Sequence, residues 1–249
     1  LRPDILHTND AISLSMTTYS MNLSVPLSQP FIKLEKIGKT YAGAVPVTAL
    51  QEINLEIDRG ERLALLGKSG SGKSTLLNLL ALIDKPSCGS LFIDNRESAL
   101  FSEKEATAYR RRDIGFIFQF FNLLPTLTLR ENITLPMELL QQNDDDLVHQ
   151  LTREAGIADK LERYPEEVSG GEQQRAAVIR ALVKKPRLIL ADEPTGNLDL
   201  ETGLHIVGLI NEICDSFGTA LVMVTHSQEA AQACTRRLKI IDGHLLDDV

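Results

Sequence analysis

The nine residues Gly67-Lys-Ser-Gly-Ser-Gly-Lys-Ser-Thr75 follow directly on the apolar run Arg62-Leu-Ala-Leu-Leu66 and lead into the apolar stretch Ser74 to Ile83, and they constrain this chain more than anything else in it. They satisfy the pattern GxxxxGK[ST] in the context that gives it physical meaning, a strand feeding a glycine-rich loop that opens a helix. Glycines at 67, 70 and 72 let backbone N–H groups turn inward around phosphates without side-chain clashes, and the helix N-terminus adds its partial positive charge. Lys73 supplies a point charge for β- and γ-phosphates, and the Ser74 hydroxyl suits a Mg²⁺ ligand. With Ser69, Ser71 and Thr75, the loop predicts a cradle for a nucleoside triphosphate.

The rest of the chain fits an α/β fold around that unit. Phe31-Ile-Lys-Leu-Glu-Lys-Ile37 and Ile53-Asn-Leu-Glu-Ile57 alternate apolar and polar residues as half-buried strands do. Buried strands are expected at Ile114 to Phe118, Leu188 to Ala191 and Ala220 to Thr225, and helices at Gly171 to Lys184 and Thr202 to Phe217. Such alternation builds a parallel sheet covered on both faces. Between Arg130 and Glu167 no strand pattern occurs, while Asp144 to Ala155 and Ile157 to Arg163 read as helical, which predicts an inserted helical subdomain over about 120–175. The acidic run Asp144-Asp145-Asp146 is expected to cap the first of these helices.

Composition sets limits. Twenty-six Lys and Arg against 34 Asp and Glu give a net charge of -8, which disfavours nucleic acid as a partner. The longest dense apolar stretch, Leu76 to Ile83, is far short of the ~20 residues that span a bilayer. Cys88, Cys214 and Cys234 are widely separated without metal-ligand spacing and read as reduced thiols. Ala11 to Ile32 carries no charge, but Ser13, Ser15, Thr17, Thr18, Ser20 and Asn22 break any signal-peptide core, so residues 1–30 read as a flexible tail ahead of one domain over 31–249.

Leu188-Ile-Leu-Ala-Asp192-Glu193 is an apolar strand ending in two carboxylates, of which Asp192 would hold Mg²⁺ and Glu193 would serve as base toward an attacking water. Just before it, Val168-Ser-Gly-Gly-Glu-Gln-Gln-Arg175 resembles the signature motif of the ABC ATPases. The resemblance covers Phe31 to about Asp247 and implies the P-loop NTPase fold of that family: a mainly parallel core sheet, an N-terminal antiparallel β-subdomain and an inserted α-helical subdomain. It also implies roles by position. Gln119 would reach Mg²⁺ and sense the γ-phosphate, His226 would be the switch histidine, Asp199 in Gly196-Asn-Leu-Asp199 the acid of the D-loop, and Tyr41 the aromatic that stacks on adenine. Ser169, Gly170 and Gly171 would complete the ATP site of a second copy, making the ATPase a nucleotide-sandwiched dimer. Two departures are small: Val168 where leucine is commonest, and Glu172 where many members carry glutamine.

Gly115-Phe-Ile-Phe-Gln119-Phe-Phe-Asn-Leu-Leu-Pro-Thr-Leu-Thr128, with Glu131-Asn132, Leu135-Pro136 and Ala191-Asp-Glu-Pro-Thr-Gly-Asn-Leu-Asp199, resembles the MacB/LolD class. That resemblance implies a peripheral subunit on the cytoplasmic side of the inner or plasma membrane. It would drive a separate FtsX/MacB-like permease in export or in lipoprotein or lipid release. An FtsE-like regulator of cell-wall hydrolases shares these motifs and stays open as an alternative; repair ABC ATPases need a long coiled coil and translation members two cassettes, and neither feature is present. Four of the eight phenylalanines fall between Phe116 and Phe121. Phe116 and Phe118 read as core, whereas Phe120, Phe121, Leu123 and Leu124 follow the strand and are expected to mark a contact surface for the permease.

Overall fold

Two sheets meet across an apolar layer and share the task of placing the glycine-rich loop. The computed structural model describes residues 29–247; the expected tail therefore lies, but for its last two residues, outside the described residues. The first sheet is antiparallel, in the order β2 (Val47–Ile57), β1 (Ile32–Tyr41), β4 (Cys88–Ile93), β5 (Arg96–Glu97). The second has the order β10 (His244–Asp247), β9 (Arg236–Ile241), β3 (Arg62–Leu66), β8 (Ala220–Thr225), β7 (Leu188–Asp192), β6 (Ile114–Ile117), and all its pairings are parallel except β10 with β9.

Alternation along the central strands splits the core into two halves. Leu63 and Leu65 of β3, Leu188 and Leu190 of β7, and Val222 and Val224 of β8 face the antiparallel sheet and α1 (Lys73–Leu80). Ala64 and Leu66, Ile189 and Ala191, and Leu221 and Met223 face the opposite way, toward α3 (Leu129–Glu138), α4 (Asp145–Glu154), α5 (Gly170–Leu182) and α6 (Leu200–Phe217). Both faces are therefore dry, which is why these strands read as unbroken apolar runs. Each fully buried Leu or Ile contributes about 1.5–3 kcal/mol.

Helix starts are set by short polar motifs. Ser102 with Glu105, Thr128 with Glu131 and Ser169 with Glu172 form reciprocal capping boxes at α2 (Glu103–Asp113), α3 and α5. The hydrogen bonds these glutamates accept from the capping backbone and hydroxyl hold Glu131 and Glu172 below the usual carboxylate range. Asp144 caps α4, its side chain accepting from the Leu147 N–H at 3.0 Å, as its sequence position predicts. One expectation fails: Ile157 to Arg163 is not a helix but a 3₁₀ turn over Ala158–Lys160. Ile157 and Leu161 are buried four residues apart, as in a helix, yet they act as two anchors of a turn.

Between β6 and β7 the described chain holds α3, α4 and α5 and no strand. The fully buried Asn132 ties the loop before α3 to that helix, with Nδ2 donating to the carbonyls of Leu124, Leu127 and Thr128 and Oδ1 accepting from the Leu124 N–H at 2.7 Å. All three cysteines are free thiols; burial pushes Cys214 up to about 12 and Cys234 up to about 11, which leaves them inert. Among the described residues no helix is long and apolar enough to cross a membrane.

Candidate functional site

The C-terminal ends of β3, β7 and β8 open on one side of the parallel sheet, where loops must carry the chain away. There Gly67 and Gly72 allow approaches no other residue tolerates. A Cβ on Gly67 would lie 2.5 Å from the Ile240 carbonyl oxygen, and one on Gly72 would lie 2.3 Å from that of Ala49. Gly72 also has φ 109, left-handed backbone that feeds α1 with no side-chain cap, so the first N–H groups of that helix remain unclaimed by capping.

The result is a cleft of about 470 Å³. Of the residues the sequence singles out, Gly67, Ser69, Gly70, Gly72, Lys73, Ser74, Thr75, Gln119, Asp192, Glu193 and His226 line it. Ala49 and Lys68 line it too. Lys68 is legible as a spacer of the motif, whereas nothing local marks Ala49 of β2, brought there by the sheet–loop approach.

Polar contacts inside the cleft are specific. Lys73, 8% exposed, donates from Nζ to the carbonyls of Gly67 and Lys68, both at 2.8 Å, so its charge rests over its own loop. The Ser74 hydroxyl donates to Asp192 Oδ2 at 3.2 Å, joining α1 to the end of β7. His226 Nδ1 lies 2.7 Å from Glu193 Oε2, a contact that fixes the direction of the carboxylate. Glu193 itself has φ 50, left-handed backbone that is rare outside glycine. Its N–H donates to the Val224 carbonyl at 2.9 Å, and its own carbonyl accepts from the Gly196 N–H at 3.0 Å.

Gln119 enters from the end of β6. Its carbonyl accepts from Asn197 Nδ2 at 2.8 Å, and the residues that follow it in the turn, Phe121 and Asn122, have φ 57 and 50. Arg180 of α5 grips that turn, donating to the Phe121 carbonyl at 2.7 Å and the Asn122 carbonyl at 2.5 Å.

Other predicted residues stand apart from the cleft lining. Tyr41, at the end of β1, is 39% exposed with Lys39 Nζ 4.9 Å from its ring centroid. Ser71 lies within the loop, its hydroxyl buried without a partner among the described residues. Ser169, Gly170 and Gly171 form the start of α5, where the Ser169 hydroxyl donates to Glu172 Oε2 at 2.8 Å. Asp199 caps α6, accepting from the Thr202 N–H at 3.0 Å, and lines a separate groove of about 230 Å³ that His226 also borders. The glycine-rich loop, Lys73, Ser74, Gln119, Asp192, Glu193 and His226 thus share one cleft, while Ser169 and Gly170 are exposed and Gly171 half-buried at the start of α5.

Comparison with known proteins agrees with this geometry. A family model described as ABC transporter matches residues 50–196. An uncharacterized ABC transporter ATP-binding protein of Mycobacterium tuberculosis is 42% identical over 225 residues, 89% of this chain and 91% of that protein. The lipoprotein-releasing system ATP-binding protein LolD of Bordetella pertussis is 40% identical over 223 residues, 88% of this chain and 96% of that protein. Among solved structures, the dimeric post-hydrolysis state of the ATP-binding cassette MJ0796 bound to ADP and Pi superposes with a TM-score of 0.78 at 37% identity, covering 86% of this chain and 96% of that one. Matched over nearly the whole length of these relatives, and carrying its glycine-rich loop and paired carboxylates in one cleft, the chain belongs to the ABC transporter family, as an ATP-binding subunit.

Proposed function

We propose that this subunit hydrolyses ATP with Glu193 as the base, and that two copies sandwich two nucleotides to drive a membrane permease. The observation that carries the reading is the convergence of Lys73, Ser74, Gln119, Asp192, Glu193 and His226 on one cleft. Lys73 would release its loop carbonyls and turn to the β- and γ-phosphates. His226 holds the Glu193 carboxylate in place to take a proton from the attacking water. Tyr41 would stack on adenine. Ser169, Gly170, Gly171 and Asp199 would act across the interface, on the partner copy's nucleotide.

The cleft fits Mg²⁺. Ser74 Oγ and Asp192 Oδ2 already meet at 3.2 Å with Gln119 in the same lining, a hard-oxygen donor set of the size that nucleotide-bound Mg²⁺ uses. Among the described residues no cluster of three or more His, Cys, Asp or Glu is built for a metal, which suits an ion held largely by phosphates. Such an ion neutralises charge on the transferring phosphoryl group. Purified protein should release phosphate from ATP in Mg²⁺, and EDTA should reduce that release to background; an unchanged rate in EDTA would contradict the metal assignment.

We take 31–249 as the ATPase domain with about 120–175 as its inserted helical subdomain, and place the subunit peripherally on the cytoplasmic side of the membrane. The relative named LolD belongs to a lipoprotein-releasing system, which supports export or lipoprotein or lipid release through an FtsX/MacB-like permease. The loop after Gln119 is where we place the permease. Phe120 is 71% and Leu124 45% exposed, whereas Leu123 packs on the core and Phe121 lies against Gly170. Phe120→Ala and Leu124→Ala should leave basal ATPase within about twofold, as surface truncations do, while weakening copurification with the permease and stimulation by it. Unchanged stimulation in both variants would move the contact elsewhere.

A further inference from the structure

Gln174 is fully buried on α5, five residues past Ser169, and its Nε2 donates to the Pro194 carbonyl at 2.6 Å. That carbonyl can only accept, so the amide nitrogen must face it and the orientation of the side chain is fixed. The other amide atom, Oε1, is buried with no partner among the described residues. A buried amide satisfied on one side only is worse for stability than an apolar side chain of the same shape, so stability alone does not account for glutamine at this position.

Pro194 follows Glu193, whose φ of 50 is doubly unfavourable: left-handed for a side chain with a Cβ, and placed before a proline that restricts its neighbour. Backbone of this kind persists only where its surroundings over-determine it. Two backbone hydrogen bonds clamp Glu193 itself, to Val224 and Gly196, and the Gln174 bond is the side-chain clamp on the next peptide. We propose that Gln174 is a positioning residue for the Glu193 carboxylate, linking the signature helix of each subunit to that subunit's own base. The inference rests on the reading of Glu193 as base. One helix then carries the exposed Gly170 and the half-buried Gly171 at its start and grips the base's backbone behind, so that a shift of α5 as two copies close is felt at Pro194.

The test uses Gln174→Met, which keeps length and removes the donor, alone and combined with Glu193→Gln, with ATP affinity, kcat and thermal midpoint measured on each. Alone, it should lower kcat ~10- to 100-fold, the scale on which a misplaced catalytic group falls, with the Kd for ATP unchanged. In the Glu193→Gln background it should cost nothing further, because a group acting through the base has no effect once the base is gone. Wild-type kcat in Gln174→Met, or an equal loss in both backgrounds, would overturn the proposal. So would failure of both Gln174→Met and Gln174→Leu to fold, since the bond would then be a requirement of the fold. Wild-type turnover in Glu193→Gln alone would instead remove the base reading, so the two failures are distinguishable.

Discussion

Glu193→Gln should bind ATP and turn it over at least ~100-fold more slowly than the unaltered chain, the scale of a lost general base. The substitution keeps shape and hydrogen-bonding capacity and removes basicity, so the contact with His226 at 2.7 Å can be replaced by an amide contact and the fold is left alone. Glu193 directly follows β7, whose residues Leu188, Ile189, Leu190 and Ala191 are fully buried, so its backbone is anchored while its side chain lines the cleft. The substitution leaves Lys73 and the glycine-rich loop, the groups proposed to bind phosphate, unaltered. Nucleotide should therefore accumulate unhydrolysed and hold two copies together, giving a dimer in size exclusion that disappears when ATP is removed. Wild-type turnover in this variant would refute the assignment of the base.

The parts of the fold that the sequence exposes are those decided within a few residues. The β3–loop–α1 unit and the Asp192-Glu193 strand end each carry their own geometry, and the structure brings them to one cleft. Where the sequence pattern stops short, a local irregularity or a lack of contrast is responsible. β1 is legible only to Ile37 because register shifts between Ile37 and Lys39 and between Lys39 and Thr40 break the alternation beyond it, although the strand runs on to Tyr41. α2 leaves no periodic trace because Glu103–Asp113 buries only Ala106, Tyr109 and Asp113, too few apolar positions to show a period. Its signals are polar: the Ser102–Glu105 capping box and the sign change from Glu103 and Glu105 to Arg110, Arg111 and Arg112. Ile157 and Leu161 mislead in the opposite way, supplying helical spacing to a turn. In the site, Ala49 and Gln174 cannot be found from the chain alone. Ala49 is placed by the approach of β2 to Gly72 and leaves no local pattern, and although Gln174 stands within the Val168–Arg175 motif, its bond across 20 positions of sequence is invisible there.

The phenylalanine cluster divides by position once the chain is folded. Phe116 and Phe118 stack at 4.3 Å between centroids, and Phe116 packs on the core. Beyond Gln119 the backbone enters left-handed conformation at Phe121 and Asn122, held by Arg180, and that reversal turns Phe121 toward Gly170 while leaving Phe120 outside. A single loop thus touches the cleft through Gln119, the signature helix through Phe121 and Arg180, and solvent through Phe120. It offers a short physical path from the nucleotide cleft to the surface proposed for the permease.

Sharing of each ATP site between two copies is the central claim, and mixing two inactive variants tests it most directly. Lys73→Ala removes the phosphate charge from a subunit's own cleft. Gly171→Asp places a carboxylate at the start of α5, where Gly171 is half-buried and a Cβ already meets Thr202 Cγ2 at 3.1 Å; its thermal midpoint and nucleotide affinity must first match the unaltered chain. Each variant alone carries a lesion in both sites of its dimer. In a mixed dimer both lesions fall in one site and the other is intact, so an equal mixture should recover up to about a quarter of the original ATPase, since half the dimers are mixed and each has one working site. Recovery of that size, absent from either variant alone, is the predicted result. A mixture no more active than its separate components, with mixed dimers demonstrably formed, would contradict the shared site and with it the action of Ser169, Gly170 and Gly171 across the interface.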